Sequence, residues 1–322
     1  MNILMTFFFL FILIVAELVY FKIADRYNII DKPNHRSSHS QITIRGGGII
    51  FPVSLLLWFF LLGMQYPFFV AGVLMISAIS FIDDLKDISR RVRMAVHVVA
   101  VSFAFYQLHL FTMPWWVTVT AYIMVIGTIN AYNFMDGING ITGIYSLVLM
   151  GSLLWINQYR FKFIEDSMLI VLIISLVVFL FFNCRKTAVC FAGDVGSISI
   201  AFIACFLLIK LIIETSQPCY AFMLSVYGVD SISTILIRAV RKENIFEAHR
   251  MHLYQVLVNQ HKQPHLVVSV LYGGVQIAIN FFILCIIKKE AYFCFGFLII
   301  LLLFLYTCIR AYSEVFFRKK EN

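Results

Sequence analysis

Charged residues are scarce in this chain: they make up 13% of the 322 residues, whereas hydrophobic residues make up 61%. The mean hydropathy is +0.91. A soluble fold of this length cannot bury so large an apolar fraction. The composition therefore excludes an ordinary globular domain and indicates an integral membrane protein.

The cysteine pattern and the first apolar run indicate neither a disulfide framework nor a cleavable leader. Its seven cysteines lie mostly inside apolar runs and form no CxxC pair, which argues against disulfides and a zinc site. The first apolar run has no cation before Lys22 and no small-residue cleavage site. We expect this run to remain as the first membrane span.

Apolar runs long enough to cross a bilayer recur along the chain, and such a helix needs roughly 20 mainly apolar residues. We predict an all-α polytopic membrane protein, with one domain over 1–322 and about 11 transmembrane helices. Ten remain an option because several neighbours are separated only by tight turns. The predicted spans are 1–21, 48–63, 67–82, 94–111, 115–131, 140–156, 166–183, 196–213, 218–237, 266–287 and 291–309.

Basic residues are distributed unevenly between the loops. Twenty of the 25 Lys and Arg residues lie in alternate loops or at the C-terminus, four lie in the opposite loops, and Lys210 lies inside a span. Cytoplasmic loops are enriched in Lys and Arg, so we predict an N-terminus outside and a C-terminus in the cytosol. The net charge of +8 is then a topological signal, and no motif indicates nucleic-acid binding.

The unusual polar segments fall on the same predicted cytosolic side. A channel or carrier would place binding groups along its path, usually near the midplane. One-sided placement favours chemistry on a cytosolic substrate instead. We predict one active face formed by loops 22–47, 83–93, 132–139, 184–195 and 238–265.

Acidic residues form the first candidate site on that face. Asp83 and Asp84 end the third span, and Asp87 follows Asp83 by one helical turn. Carboxylates at the negative end of a helix dipole need a positive partner. That partner is either the cations of a salt-bridged loop, or a divalent metal with a phosphate, since Mg²⁺ prefers oxygen ligands.

Two glycine-containing turns add carboxylates on the same side. Asp136 lies in MDGING and Asp194 in AGDVGS, and a helix with free N–H groups follows each turn. Either turn alone is more often an ordinary turn or N-cap. Three acidic turns beside cations favour a binding site.

The polar segment before the second span ends in RGGG. Unpaired amides at a helix start bind anions, and this helix start points to the cytosol. A close helix crossing through small residues is the alternative. The candidate phosphate-binding residues here are Arg36, His39, Thr43, Arg45 and Gly47.

A second basic group follows a span that contains a carboxylate. Asp230 lies inside the membrane edge and needs a partner or a water-filled cleft, because an unpaired carboxylate is costly there. The two histidines of AHRMHLYQ are three residues apart and share a face if helical, although a surface pair is the ordinary reading. The diphosphate-binding candidates are Asp230, Arg238, His249, Arg250 and His252.

Together these segments resemble the polyprenyl-phosphate N-acetylhexosamine-1-phosphate transferases of glycosyltransferase family 4. The resemblance covers about Asp31 to Gln255 and rests on DKPNHRSSH, TIRGGGI, DDLKD, NxxNFMDGxNG, FAGDVGS and the stretch from Asp230 to the histidines, in that order. In motif form the chain is most similar to the branch that initiates O-antigen synthesis.

The resemblance implies a reaction between two anionic substrates. Undecaprenyl phosphate attacks a UDP-N-acetylhexosamine, which gives a lipid-diphospho-sugar and UMP and requires Mg²⁺, with Mn²⁺ as the alternative ion. It implies a multi-pass protein of the bacterial cytoplasmic (inner) membrane whose site faces the cytosol, and it is compatible with a homodimer.

Residue roles follow from the same resemblance. Asp83 and Asp84 become the catalytic candidates, and Asp84 and Asp194 the metal-binding candidates. The substrate-binding candidates are the phosphate-binding and diphosphate-binding residues already named, Thr43 and Asp230 included, together with Asp87, Asn130, Asn133 and Asp136.

The chain departs from the family pattern at three points. Asn139 stands where many members have a second aspartate, Arg250 separates the histidines, and the proline common before Asp230 is missing. Tyr227 and Gly228 stand near that position, and a helix break is expected there in spite of the missing proline. The sugar preference cannot be transferred across these differences.

A transporter of a nucleotide sugar or a lipid-linked sugar is the alternative function. It would account for many spans and cations, but it should show a repeated half with broken helices at matching positions. The sequence has no such repeat. A CDP-alcohol phosphotransferase is disfavoured because its DGx2ARx8Gx3Dx3D pattern is missing.

Overall fold

Helices account for nearly all of the regular structure, because backbone groups inside a bilayer must be paired within the segment. The computed structural model describes residues 1–31, 42–244, 250–289, 296 and 300–310. Arg36, His39 and His249 lie outside these residues. One short hairpin is present, in which Ile30–Asp31 pairs antiparallel with Thr43–Ile44.

For the predicted spans that lie wholly within the described residues, the helix bounds agree with the apolar runs to within a few residues, whereas the start of the span 291–309 lies mostly outside them. The helices are α1 (Ile3–Arg26), α2 (Ile50–Leu61, after the 3₁₀ turn Gly47–Ile49), α3 (Pro67–Leu85), α4 (Arg90–Gln107), α5 (Trp115–Met135), α6 (Ile141–Tyr159), α7 (Asp166–Asn183), α8 (Gly193–Thr215), α9 (Ser225–Val240), α10 (Leu253–Gln255), α11 (His265–Lys289) and α12 (Ile300–Arg310). Shorter helical turns are Leu110–Thr112, Pro218–Leu224 and Val256–Gln260.

In the described part of the chain, eight helices are long and apolar enough to cross a membrane. They are α1, α3, α5, α6, α7, α8, the combined segment Pro218–Val240 and most of α11, while α2 and α12 are shorter apolar helices. The predicted class, an all-α polytopic membrane protein, is confirmed. The count of eleven spans and the orientation stay predictions.

α8 lies at the centre of the bundle. Every residue from Val195 to Leu208 is buried, and the helix packs against α2, α3 and α5. A helix that is apolar on all sides can be enclosed on all sides. Its N-terminus, at Gly193, is the place where the polar residues of several segments meet.

The three glycines before α2 pack against the start of α8. A Cβ on Gly48 would lie only 2.3 Å from Cα of Gly196. The N–H groups of Gly47 and Gly48 donate to the carbonyls of Phe191 and Ala192, at 2.8 and 3.1 Å. The expectation that these amides remain free for an anion is therefore wrong. The alternative, a close crossing through small residues, is correct.

The segment before Asp230 changes helix type, as the 3₁₀ helix Pro218–Leu224 leads directly into α9. The sequence predicted a break near Tyr227 and Gly228, and the observed change of helix type lies about one turn before them. Gln276 of α11 accepts from the N–H of Val226 at 3.1 Å and donates to the carbonyl of Phe222 at 3.3 Å. A distant side chain thus pairs backbone groups that the change of helix type frees.

Candidate functional site

Asp84, at the end of α3, binds the N-terminus of α8. Its Oδ1 accepts from the N–H of Asp194 and its Oδ2 from the N–H of Val195, both at 2.9 Å. The Asp84 side chain has no exposed surface. A carboxylate is favourable at this end of a helix because the free amides and the helix dipole are positive there.

Gly193 permits this contact. Its φ is +70°, in the left-handed region that favours glycine, and a Cβ would lie 2.7 Å from Oδ2 of Asp84. The glycine before Asp194 is therefore required by the close approach of α3 to the start of α8.

Arg45 lies between two carboxylates. Its Nε is 2.7 Å from Oδ1 of Asp84, and its Nη2 is 3.7 Å from Oδ1 of Asp194. Burial alone would lower the pKa of Arg45, but these two carboxylates hold the pKa above its ordinary value. The hydroxyl of Tyr20 donates to the Arg45 carbonyl at 2.6 Å and fixes the backbone at this point.

Arg93, in the first turns of α4, was not among the residues selected from the sequence. Its Nη1 contacts Oδ2 of Asp83 and lies 3.3 Å from Oδ2 of Asp194. The N–H of Ile88 donates to the other oxygen of Asp83 at 2.8 Å. One guanidinium nitrogen is thus shared by carboxylates from α3 and α8.

Asn133 of the NxxN motif reaches the same place. Its Nδ2 donates to Oδ1 of Asp194 at 3.0 Å and lies 3.3 Å from Oγ of Ser197. Asn130, one turn earlier, donates to the carbonyl of Ile126 inside α5. The structure therefore brings Asn133 into contact with Asp194, whereas Asn130 bonds within its own helix.

We call this group the acidic cluster: Asp83, Asp84, Asp194, Arg45, Arg93 and Asn133. Three carboxylates against two guanidiniums leave one uncompensated negative charge if all are ionised. Among the described residues, no group of three or more His, Cys, Asp or Glu side chains is arranged to hold a metal ion. The oxygens of Asp83 and Asp194 that share Arg93 are nevertheless hard donors, already placed around one cation.

Asp136 follows α5 in the turn that leads to α6. Its Oδ1 accepts from the hydroxyl of Thr142 at 2.6 Å. Burial raises the pKa of Asp136 to about 7, although the Thr142 hydrogen bond opposes that rise. Its charge state therefore changes near neutral pH.

Asn139, in the same turn, is buried and connects two loops. Its Nδ2 donates to the carbonyl of Arg185 at 2.8 Å and to that of Lys186 at 3.3 Å. Its backbone N–H donates to Nδ1 of His265 at 3.4 Å. Asn139 thus holds the α5–α6 turn against the α7–α8 loop.

The histidine segment, residues 250–255, packs on the end of α5. The hydroxyl of Tyr254 donates to the carbonyl of Phe134 at 2.9 Å, and a Cβ on Gly137 would lie 2.2 Å from that hydroxyl. The ring of His252 lies against the rings of Phe134 and Tyr254. The histidine segment therefore contacts the α5–α6 turn. Its first residue, Arg250, is half-buried.

Asp230 and Arg238 are both buried in α9. Asp230 accepts from the backbone N–H of Leu253 at 2.9 Å, and Arg238 donates to the carbonyl of Asn244 at 2.6 Å. Both side chains thus bind protein groups, and their predicted contact with substrate stays a prediction. Thr43 is buried in the hairpin, and Asp87 is exposed between α3 and α4.

The comparisons with known proteins agree on one family. Residues 66–212 match the glycosyl transferase family 4 model, and this range includes every member of the acidic cluster except Arg45. A probable undecaprenyl-phosphate N-acetylglucosaminyl 1-phosphate transferase of Bacillus subtilis (strain 168) is 24% identical, over 93% of this chain and 88% of that protein.

Two further relatives are undecaprenyl-phosphate alpha-N-acetylglucosaminyl 1-phosphate transferases, from Yersinia pestis and Escherichia coli (strain K12). Each is 25% identical and aligns with 74% of this chain and 71% of its own length. This chain is therefore similar to these transferases over most of its length.

Proposed function

This chain belongs to glycosyl transferase family 4, and on that premise we propose that it transfers an N-acetylhexosamine 1-phosphate from a UDP-sugar to undecaprenyl phosphate. The products are UMP and a lipid-diphospho-sugar. The observation that carries the proposal is the acidic cluster, in which carboxylates from α3 and α8 meet two guanidiniums and a side-chain amide at one helix start.

The reaction brings two anions together, so neutralising charge is its main requirement. A phosphate oxygen must approach the sugar-linked phosphorus of a diphosphate, and phosphoryl transfer depends mostly on positioning and electrostatic stabilisation. Arg45 and Arg93 are partly exposed, at 35% and 28% of their side chains, and are available to contact phosphate oxygens. Asp84 holds the start of α8 beside them.

We propose that Asp83 and Asp194 hold a Mg²⁺ ion, or Mn²⁺ in its place. Asp84 was the expected partner of Asp194, but both of its oxygens accept hydrogen bonds from α8 and one also pairs with Arg45, so Asp83 is favoured. A bound divalent ion would stabilise charge on the transferring diphosphate. Asn133 orients Asp194 through its amide, and Asp136 remains the candidate for the nucleotide.

We place the reaction at the cytosolic face of a bacterial cytoplasmic membrane. The basic residues support this side, because 20 of the 25 lie in one set of alternate loops or at the C-terminus. The lipid product would then start O-antigen or a related envelope polysaccharide, as the RSSH and AHRMHLYQ forms suggest.

The test uses purified protein in detergent with undecaprenyl phosphate, Mg²⁺ and a panel of UDP-N-acetylhexosamines. We expect release of UMP with at least one sugar, dependent on the lipid phosphate. A parallel reaction without the lipid is the control. Uptake of the nucleotide sugar into vesicles without UMP release would contradict the proposal and favour the transporter.

A further inference from the structure

Asp230 connects four parts of the chain although it lies deep in the bundle. It is 2% exposed. Its Oδ2 accepts from the hydroxyl of Tyr272 in α11 at 2.6 Å, and its Oδ1 lies 3.3 Å from the hydroxyl of Thr234 in α9 and 3.4 Å from that of Tyr306 in α12. These donors hold the carboxylate in one orientation.

The remaining contacts of Asp230 reach the histidine segment. Its Oδ1 accepts from the N–H of Leu253 at 2.9 Å and lies 3.4 Å from Nδ1 of His252. The backbone hydrogen bond of Leu253 thereby ties the segment to α9, and the His252 ring lies beside the same carboxylate. Because Asp230 and His252 are 2% and 3% exposed, neither side chain is open to a substrate in this arrangement.

The opposite side of the histidine segment faces the end of α5. The Tyr254 hydroxyl donates to the carbonyl of Phe134, the residue that follows Asn133. Asn133 in turn donates to Asp194. A continuous set of contacts therefore leads from Asp230 through the segment to the acidic cluster.

We infer that Asp230 and His252 form a latch that positions the histidine segment, and with it Arg250, against the end of α5. Asp230 is then a positioning residue that acts without touching substrate. The latch itself rests on the described contacts, and its effect on turnover rests on the proposed function.

Limited proteolysis tests the latch without reference to activity. Trypsin cleaves after Arg250, next to residues that the latch holds in place. We expect Asp230→Ala to speed cleavage at this bond by about tenfold or more, since local opening governs such cleavage. Mass spectrometry identifies the Arg250–Met251 cut among the other basic sites. A wild-type cleavage rate in a folded Asp230→Ala protein would overturn the latch.

Ser231→Ala is the matched control. Ser231 is the next residue of the same helix and is also buried, but its hydroxyl has no hydrogen-bond partner in the part of the chain that the structure describes. It should leave the cleavage rate unchanged. Asp230→Asn serves if the alanine variant does not fold, because the amide oxygen can still accept from Leu253, and its cleavage rate should lie between those of wild type and alanine.

Steady-state kinetics separates positioning from direct participation. If Asp230 only positions the segment, Asp230→Asn should raise KM for the UDP-sugar by about tenfold with a smaller change in kcat. A fall in kcat of about 100-fold or more with unchanged proteolysis would show that Asp230 acts on the reacting groups and would refute the latch. If no UDP-sugar is turned over at all, the proposed function fails while proteolysis still decides the latch.

Discussion

The acidic cluster and the Asp230 latch are both built around an aspartate, but the two carboxylates have different kinds of partner. Asp194 in the cluster is partly exposed, at 18% of its side chain, and its oxygens face the guanidiniums of Arg45 and Arg93. Asp230 is closed off, and its donors are mostly hydroxyls and a backbone amide. A guanidinium beside a carboxylate can give way to a metal ion or can itself bind phosphate. The neutral hydroxyl and amide donors around a buried carboxylate can do neither.

The largest difference between the two regions should appear on neutralising one carboxylate in each. Asp194→Asn should lower kcat/KM by about 1,000-fold or more, because it removes the charge that we propose binds the metal and the carboxylate that both arginines share. The loss should greatly exceed that in Asp230→Asn. UMP release under saturating Mg²⁺ measures both variants.

Asp25→Asn is the control for Asp194→Asn. Asp25 is an exposed carboxylate near the end of α1, so the same change in charge there should leave turnover near wild type. Near-normal turnover in Asp194→Asn would remove this residue from the metal site and end the distinction between the two regions.

A smaller effect is expected from the cation that Asp83 and Asp194 share. Arg93→Gln should lower turnover by about 10- to 100-fold, since one positive charge on the phosphates is lost. The same variant should bind Mg²⁺ more tightly, because the guanidinium no longer competes for the two oxygens. Mg²⁺-dependent thermal stabilisation of the detergent-solubilised protein measures this affinity.

Arg91→Gln provides the comparison on the same turn of α4. Arg91 is exposed, so this change should alter neither turnover nor the Mg²⁺ titration. Mg²⁺ binding that is weaker or equal in Arg93→Gln would mean that Arg93 does not occupy the position of the metal.

The smallest effect concerns Asp136, which lies between the two regions. A pKa raised from 3.8 to about 7 means that folding favours the protonated form. Its contribution to stability is complete below about pH 4 and is lost as the pH rises through about 7. The loss should be on the order of 2 kcal/mol, because the residue is only partly buried and water screens part of the effect.

Thermal unfolding from pH 4 to 8 checks this behaviour against Asp136→Asn, which cannot ionise. The wild-type protein should lose stability relative to the variant as the pH rises. A constant difference across the range would contradict a raised pKa, and a difference of opposite slope would indicate a lowered one.

The sequence predicted the helices well because each apolar run determines its own backbone pairing in a membrane. It also selected Asp83, Asp84, Asn133 and Asp194, which the structure brings together. These residues stand out locally, in acidic or glycine-containing turns at the ends of apolar runs.

What the sequence could not predict depends on partners far along the chain. The amides of Gly47 and Gly48 are paired by carbonyls about 140 residues away, so a motif that resembles an anion-binding turn is a packing contact instead. Arg93 lies among other arginines, and nothing in that local run distinguishes it from Arg90 and Arg91. Only the approach of α8 to α3 gives it a separate role.

The amide of Asn139 has a consequence for how related chains can vary. Two carbonyl oxygens, those of Arg185 and Lys186, face its nitrogen. An aspartate there would place a carboxylate oxygen against these two carbonyl oxygens, and their repulsion would push the two loops apart. Lineages with aspartate at this place must therefore supply a proton, a cation or a differently folded neighbouring loop, and such paired changes should be traceable when their sequences are compared.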